Sequence, residues 1–95
     1  MKIYYVYILL CSDNSFYIGV TNNLELRVAQ HEVGLHSSSY TYPRRPVRLV
    51  YFESFDNINT AILREKQLKG WSRKKKLALI NGDFNALSRL AHGSV

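Results

Sequence analysis

The feature that most constrains the fold is a pair of β-branched and aromatic runs near the start of the chain, separated by a short polar break. Residues 3–11 read IYYVYILLC and residues 16–20 read FYIGV, with the residues SDNS between them. β-Branched and aromatic residues favour strands, whereas Ser, Asp and Asn favour turns. The pattern therefore predicts an antiparallel hairpin.

The hairpin sorts its tyrosines by face, because side chains alternate between the two faces of a strand. Tyr7 shares a face of the first strand with Tyr5 and Leu9, and Tyr17 shares a face of the second strand with Gly19. The register of the hairpin decides whether these two faces coincide. The sequence alone leaves that question open.

After the hairpin, a predicted helix precedes one further strand. The pattern Asn22-x-x-Glu25 resembles a capping box and predicts a helix over about residues 23–33, which Gly34 ends. Alternation over residues 47–55 predicts a third strand. One side of that strand would carry Val47, Leu49, Tyr51 and Glu53.

Three more helices are expected in the second half of the chain. N-cap residues at 56–59 precede a helix that ends at residue 69, and two others cover residues 72–81 and 83–91, with frayed residues after them. A length of 95 residues fits one domain, 1–95, with a core over about 3–82. We expect an α/β (α+β) fold, a three-stranded, mostly antiparallel sheet flanked by helices.

Charge and composition limit the partners of the chain. The net charge is +6, and eleven of the thirteen Lys and Arg residues follow residue 40. This asymmetry favours nucleic acid over a membrane surface, although a basic half can also serve solubility alone. No apolar run approaches the roughly 18 residues of a membrane span. With no signal-peptide pattern and a single cysteine, Cys11, we expect a cytoplasmic protein without a disulfide or a Cys-based zinc site.

Three residues form a candidate catalytic group. Arg27 and His31 are four apart and project side by side from one helix face, where they would offer a phosphate ligand and a group that titrates near neutrality. Glu65 lies in the apolar stripe of its helix and requires a partner. An ion pair with Arg27 or a core hydrogen bond would be a structural role for this carboxylate, whereas binding a metal ion or acting in catalysis would be a functional one.

Tyrosines and basic residues supply the remaining candidates. Tyr7 and Tyr17 could serve in packing or in chemistry, because a tyrosine acts as a base only when a nearby cation or metal helps it. The basic clusters could be solvated surface or could neutralise phosphates, with nearby aromatic rings stacking on bases. The candidate nucleic-acid contacts are Tyr40, Arg44, Arg45, Arg73, Lys74, Lys75 and Lys76.

The order of these motifs resembles the GIY-YIG nuclease superfamily. Tyr5-Val6-Tyr7, then Tyr17-Ile18-Gly19, then Arg27-x-x-x-His31 and finally Glu65 follow the family pattern over nearly the whole chain. The chain is most similar to the small single-domain bacterial members and more distantly similar to the incision domain of bacterial excision repair.

The resemblance implies a metal-dependent endonuclease that hydrolyses DNA in repair or recombination, structure-directed or of low sequence specificity. By this resemblance, Tyr7 activates water, Tyr17 is the second motif tyrosine, Arg27 steadies the scissile phosphate and His31 relays a proton. Glu65 would bind one divalent metal, Mg or Mn. RNA stays open as a substrate, and a larger repair or recombination protein as a partner.

The sequence departs from the family pattern at two points, of which only Val20 keeps other functions open, because the missing glycine is not the chemical group. The first motif has no leading glycine, and Val20 stands where several members carry a lysine that would lower the pKa of the first tyrosine. The metal, Arg27 or His31 would then have to lower the pKa of Tyr7 instead. The alternatives are a nucleic-acid-binding module with little or no catalysis, and an adaptor for a larger repair protein.

Overall fold

The protein is a three-stranded antiparallel sheet with helices on both faces. The computed structural model describes residues 2–91, without the side chain of Ala91, so the expected fraying of residues 92–95 lies outside the described residues. The elements in chain order are β1 (Tyr4–Leu10), β2 (Phe16–Thr21), α1 (Leu24–Val33), a 3₁₀ turn (Tyr42–Arg44), β3 (Arg48–Phe55), α2 (Ile58–Lys69), α3 (Arg73–Ile80) and α4 (Phe84–Ala91). The predicted fold class is confirmed. No helix within residues 2–91 has the length and apolar character needed to cross a membrane.

The central strand of the sheet is β1. The strand order is β2-β1-β3, and the β1 side chains from Val6 to Leu9 have no exposed surface. In the register of the hairpin, Tyr7 pairs with Gly19 and Leu9 pairs with Tyr17. Paired residues share a face, so Tyr7 and Tyr17 project from the same side of the sheet.

Each face of the sheet carries its own apolar cluster. On one face, Val6, Ile8 and Ile18 pack with residues of the α2 and α3 helices, including Leu68 and Leu79. We call this the α2 face. On the other, the α1 face, Tyr7 and Leu9 form a smaller cluster with Cys11 and Val47, against which Leu24 and Val28 of α1 pack.

The prediction that one side of the third strand carries Val47, Leu49, Tyr51 and Glu53 is wrong. Ile8 pairs with Tyr51, but the next residue, Leu9, pairs with Leu49, so the register skips Val50. A β-bulge of this kind interrupts the alternation of side chains. Tyr51 consequently packs on the α2 face, whereas Leu49 packs on the α1 face.

The ends of α1 follow from local chemistry, with one change from the expected cap. The N-cap is Asn23 rather than Asn22, and its side chain accepts a hydrogen bond of 3.1 Å from the Leu26 backbone N–H. Gly34 ends the helix at a φ of 70°, which only glycine adopts without strain. The caps fix where α1 begins and ends, and the packing of Leu24 and Val28 on the sheet sets the direction in which Arg27 and His31 project.

Candidate active site

The site begins where the Tyr7 ring crosses the neighbouring strand. A Cβ atom built at Gly19 would lie 2.4 Å from the Tyr7 hydroxyl oxygen and 2.6 Å from its Cζ. Glycine within a strand often marks such a close approach. Gly19 thus admits the ring over β2, the edge strand, and defines where the hydroxyl lies.

His31 meets Tyr7 from the α1 helix. Its Nε2 lies 3.0 Å from the Tyr7 hydroxyl, and its Nδ1 lies 2.7 Å from Oγ1 of Thr41 in the following loop. The ring of Tyr17 lies beside them, with its centroid 5.0 Å from that of His31 and 6.2 Å from that of Tyr7. Both imidazole nitrogens are engaged by side-chain hydroxyls, so neither is free to ligate a metal ion in this arrangement.

Burial keeps the two central groups uncharged near neutral pH. Burial is the main cause that raises the pKa of Tyr7, the nearby Tyr17 raises it further, and the Arg27 guanidinium acts in the opposite direction. Burial also lowers the pKa of His31, and the positive charge of Arg27 adds to that shift. Arg27 itself is exposed at the surface of α1.

Glu65 approaches from the other side of the sheet. It lies in α2 with a side chain only 16% exposed, and its Oε2 is 3.5 Å from Nζ of Lys69. The structural alternative, an ion pair with Arg27, is absent among the described residues, where Lys69 is the ion-pair partner of Glu65. The negative charge of Glu65 reaches Tyr7 as a minor contribution that raises its pKa.

The donor set around Glu65 limits which cation it could hold. Within residues 2–91 there is no group of three His, Cys, Asp or Glu side chains placed to share a metal ion. A structural zinc site needs such a group. Magnesium keeps several of its waters and binds through one or two carboxylates together with substrate phosphates. A single shielded carboxylate therefore fits a hard divalent cation that shares its shell with substrate.

A cavity of about 290 Å³ lies at the free edge of β2. Tyr17 lies on the α1 face of β2, whereas Ile18 lies on the α2 face, so the cavity joins the two sides of the sheet. Aromatic rings and two ammonium groups surround it. Its lining residues are Phe16, Tyr17, Ile18, Tyr40, Lys69 and Lys76. This combination suits a nucleotide, because bases stack on aromatic rings while lysines contact phosphates.

The basic residues of the loop before β3 are held in place by local contacts. The Arg44 guanidinium lies 3.8 Å from the centre of the Tyr40 ring, and its Nε donates to Asp13 over 3.1 Å. The Tyr40 ring in turn stacks on Tyr17, with centroids 6.1 Å apart. Arg45 lies over the Tyr42 ring at 4.4 Å. Tyr40 and Arg44 thus extend the aromatic surface that starts at Tyr17.

The basic run at the start of α3 is divided around the helix rather than gathered in one patch. Lys76 lines the cavity at the β2 edge, whereas Lys74 lines a separate groove against α4. Lys75 lies over the Trp71 ring at 4.4 Å, and Arg73 lies over the Phe16 ring at 4.5 Å. Of these four candidates, Lys76 lines the same cavity as Tyr17 and Tyr40.

Three features of the site were not predicted from the sequence. The hydroxyl of Thr41 contacts His31, but no periodicity in the loop indicates it. Lys69, the partner of Glu65, could have been found from its spacing, because residues four apart on a helix are neighbours. The role of Gly19 could be recognised only from the register of the β1–β2 hairpin. Val20 packs in the cluster on the α2 face, opposite Tyr7, whereas His31 and Arg27 are basic groups that act on the tyrosine.

The fold and the motif residues identify a class of protein. The family described as the GIY-YIG catalytic domain matches residues 3–78. The chain therefore belongs to the GIY-YIG family, and the resemblance drawn from its motifs is confirmed.

Within that family, the chain is similar to proteins named UPF0213. The protein from Syntrophus aciditrophicus is 47% identical over 76 residues, which are 80% of this chain and 87% of that protein. The protein from Clostridium perfringens is 51% identical over 77 residues, 81% of this chain and 82% of that protein.

Two solved structures of similar proteins support the fold. The solution NMR structure of EF2693 from E. faecalis has a TM-score of 0.61 at 35% identity and covers 88% of each chain. The solution NMR structure of the UPF0213 protein BH0048 from Bacillus halodurans has a TM-score of 0.55 at 35% identity and covers 93% of this chain and 96% of that one.

Proposed function

We propose that the protein is a divalent-metal-dependent endonuclease that hydrolyses phosphodiester bonds in DNA. The observation that carries this proposal is the contact of 3.0 Å between the Tyr7 hydroxyl and Nε2 of His31, with the Arg27 cation beside it. A phenol in contact with a neutral imidazole can pass on its proton and accept another from water. Membership of the GIY-YIG family supports nuclease chemistry in general.

Arg27 acts first, by binding the scissile phosphate. Its exposed guanidinium presents several donors in a planar fork that matches phosphate oxygens and offsets the charge of the transition state. Tyr7 has no exposed surface, so water reaches its hydroxyl only after a neighbouring side chain moves. A shift of Arg27 onto the phosphate would uncover the hydroxyl and link substrate binding to access by water.

His31 then takes the proton of Tyr7. As the water oxygen forms its bond to phosphorus, the water gives a proton to the Tyr7 oxygen, and the original tyrosine proton moves to Nε2 of His31. The bond from phosphorus to the leaving oxygen breaks, and that oxygen gains a proton from solvent. The lowered pKa of His31 lets the imidazolium lose its proton again after the reaction.

Glu65 holds the divalent cation in this proposal. A bound Mg²⁺ or Mn²⁺ would supply Lewis-acid stabilisation of negative charge on the leaving oxygen. The ammonium group of Lys69 lies 3.5 Å from the carboxylate. When the cation binds, Lys69 would either stay beside Glu65 or be displaced from it.

DNA would enter along the free edge of β2. Lys69 and Lys76 would contact backbone phosphates, while the rings of Tyr17 and Tyr40 would stack on an unpaired base. Contacts of these kinds read shape and charge rather than base identity, which supports low sequence specificity. Unpaired bases occur in flapped and junction DNA, the substrates of repair and recombination.

Cleavage by a Glu65→Gln variant tests the proposal. Single-stranded, duplex, flapped and four-way-junction DNA, together with RNA, would be incubated with Mg²⁺, Mn²⁺ or EDTA. We expect metal-dependent cleavage by the wild type and a loss of at least about a hundredfold in the variant, because the amide keeps the shape of Glu65 but removes its charge. Glu32→Gln is the matched control, since Glu32 is exposed and lines a different groove.

The outcomes of this experiment separate the assignments. Equal cleavage by wild type and Glu65→Gln would remove the metal role from Glu65. Cleavage in EDTA equal to that in Mg²⁺ would refute metal dependence. If RNA were the only substrate cleaved, the substrate would be RNA rather than DNA.

A nucleic-acid-binding module with little catalysis is the second candidate function. One observation favours it: burial raises the pKa of Tyr7, and Val20 supplies no ammonium group to lower it. Salt-sensitive binding of the same substrates, without cleavage under any condition, would support this function over hydrolysis.

A further inference from the structure

The hydrogen-bond chain at the site extends beyond the motif residues. Thr41 is fully buried, and its Oγ1 lies 2.7 Å from Nδ1 of His31 and 3.2 Å from Oγ of Ser39. Tyr7 lies at the other end, 3.0 Å from Nε2 of His31. The four side chains therefore form a chain that runs from the loop after α1 into the sheet.

A neutral imidazole carries one N–H, so two arrangements of this chain are conceivable. In the first, Nδ1–H donates to Thr41, Thr41 donates onward to Ser39, and the Tyr7 hydroxyl donates to Nε2. In the second, Thr41 donates to Nδ1, and Nε2–H donates to the oxygen of Tyr7. The two arrangements differ in where the proton of Tyr7 points.

Burial of Tyr7 selects the first arrangement. In the second, the Tyr7 O–H would need another acceptor, but among the described residues Nε2 of His31 is the acceptor within hydrogen-bond distance. Arg27, whose hydrogen bonding and charge also act on the hydroxyl, can only donate. Tyr17 and Glu65 act on Tyr7 through charge and not as hydrogen-bond acceptors among the described residues. A buried donor without an acceptor carries its full desolvation penalty, so the second arrangement is disfavoured.

We propose that Thr41 is a positioning residue that holds His31 as its Nδ1–H tautomer, so that Nε2 is the proton acceptor for Tyr7. Thr41 can also keep this contact after proton transfer, because both nitrogens of an imidazolium donate and the threonine oxygen still accepts. The tautomer is a property of the resting protein. The catalytic consequence rests on the proposed nuclease function.

Nitrogen NMR of the imidazole rings tests the tautomer directly. Long-range ¹H–¹⁵N correlation spectra would be recorded on ¹⁵N-labelled protein at a pH where the histidines are neutral, and a His31→Gln variant would assign the signals among the three histidines. We expect Nδ1–H at His31 in the wild type. Thr41→Ser should keep that tautomer, because it keeps the hydroxyl, and Thr41→Val should lose it.

Kinetics add the catalytic readout. Thr41→Val should reduce kcat about 10- to 100-fold, the usual cost of losing a group that orients a reactive side chain, with little change in KM. Thr41→Ser should restore most of the rate. Thr60→Val is the matched control, since it makes the same change at an exposed position of α2 outside this hydrogen-bond chain.

The tautomer measurement and the kinetic measurement test different parts of the proposal. An Nε2–H tautomer in the wild type would overturn the role of Thr41, and so would a Thr41→Val variant that keeps Nδ1–H. Either result stands even if no substrate is cleaved. If Thr41→Val does not fold, the tautomers of the wild type and Thr41→Ser decide the question. The expected tautomer in a protein that cleaves nothing would uphold the positioning role and refute the nuclease.

Discussion

Two tyrosine hydroxyls, one from a buried and one from a half-buried side chain on opposite faces of the sheet, have opposite kinds of partner. On the α2 face, Tyr51 donates to Glu53, and Arg64 holds that carboxylate through hydrogen bonds of 3.0 and 2.8 Å. On the α1 face, Tyr7 contacts the imidazole of His31. Burial raises the pKa of both tyrosines, to about 12 for Tyr51, where Glu53 adds to the effect.

The difference lies in what each acceptor can do next. Glu53 is already paired with Arg64, whose charge helps to hold the pKa of the carboxyl below its usual range against the opposing effect of burial. It is therefore a poor destination for another proton. Burial and the charge of Arg27 lower the pKa of His31, so its imidazole is neutral and Nε2 offers a lone pair to the proton of Tyr7. A raised pKa is thus compatible with a structural or with a catalytic tyrosine. The residue that accepts the hydrogen bond of the hydroxyl distinguishes the two roles.

The comparison is tested most strongly by removing each hydroxyl in turn. We expect Tyr7→Phe to reduce DNA cleavage by about a thousandfold, the scale of general base catalysis, and Tyr51→Phe to change it less than about threefold. Each variant should lose about 1 kcal/mol of unfolding free energy, because each loses one hydrogen bond. Single-turnover cleavage and urea denaturation measure the two quantities. Equal losses of cleavage would mean that the hydroxyls do not differ in role.

The position of the Tyr7 hydroxyl is tested by filling the space beside it. Gly19→Ala places a methyl group 2.4 Å from the present position of that oxygen, so the ring must move. Displacement of about 1 Å costs roughly a hundredfold in rate, and we expect a loss of that size in single-turnover cleavage. Gly70→Ala is the control, because its methyl group would meet its nearest atom at 3.6 Å. A fully active Gly19→Ala protein would show that the hydroxyl tolerates displacement.

The smallest expected effect concerns stability on the α2 face. Glu53→Gln should lower the unfolding free energy by about 2 kcal/mol, because it leaves the partly buried Arg64 without its carboxylate. Cleavage by the folded variant should stay near that of the wild type. Glu65→Gln removes the same charge and should behave in the opposite way, losing cleavage and keeping stability. Denaturant midpoints of the two variants provide the comparison, and equal midpoints would contradict it.

Most of the fold could be predicted because its signals are local. Turn residues between two apolar runs, N-caps at Asn57 and Ser72, and Gly34 after α1 each act over one turn of chain. The bulge at Val50 could not be predicted, since residues 49–52 form a continuous apolar run that does not show where the alternation of faces shifts. Only the pairing with β1 reveals the skipped residue.

The candidate site was only partly predictable, for a related reason. Helical spacing places Arg27 beside His31, but the contact between His31 and Tyr7 spans 24 residues and depends on the hairpin register and on the rotation of α1. The contact between His31 and Thr41 depends on a loop without periodicity. A sequence shows which residues are chemically suited to a site. The hydrogen bonds between those residues can be known only from the fold.

The free edge of β2 has a consequence for inhibition. An edge strand presents backbone N–H and C=O groups that can accept another strand. An extended peptide that paired with β2 would run along the cavity between Tyr17 and Lys69 and would separate Tyr7 from any nucleic acid. In the proposed nuclease, the edge that would admit a polyanion would therefore also admit a short β-strand, an inhibitor held by backbone pairing rather than by charge.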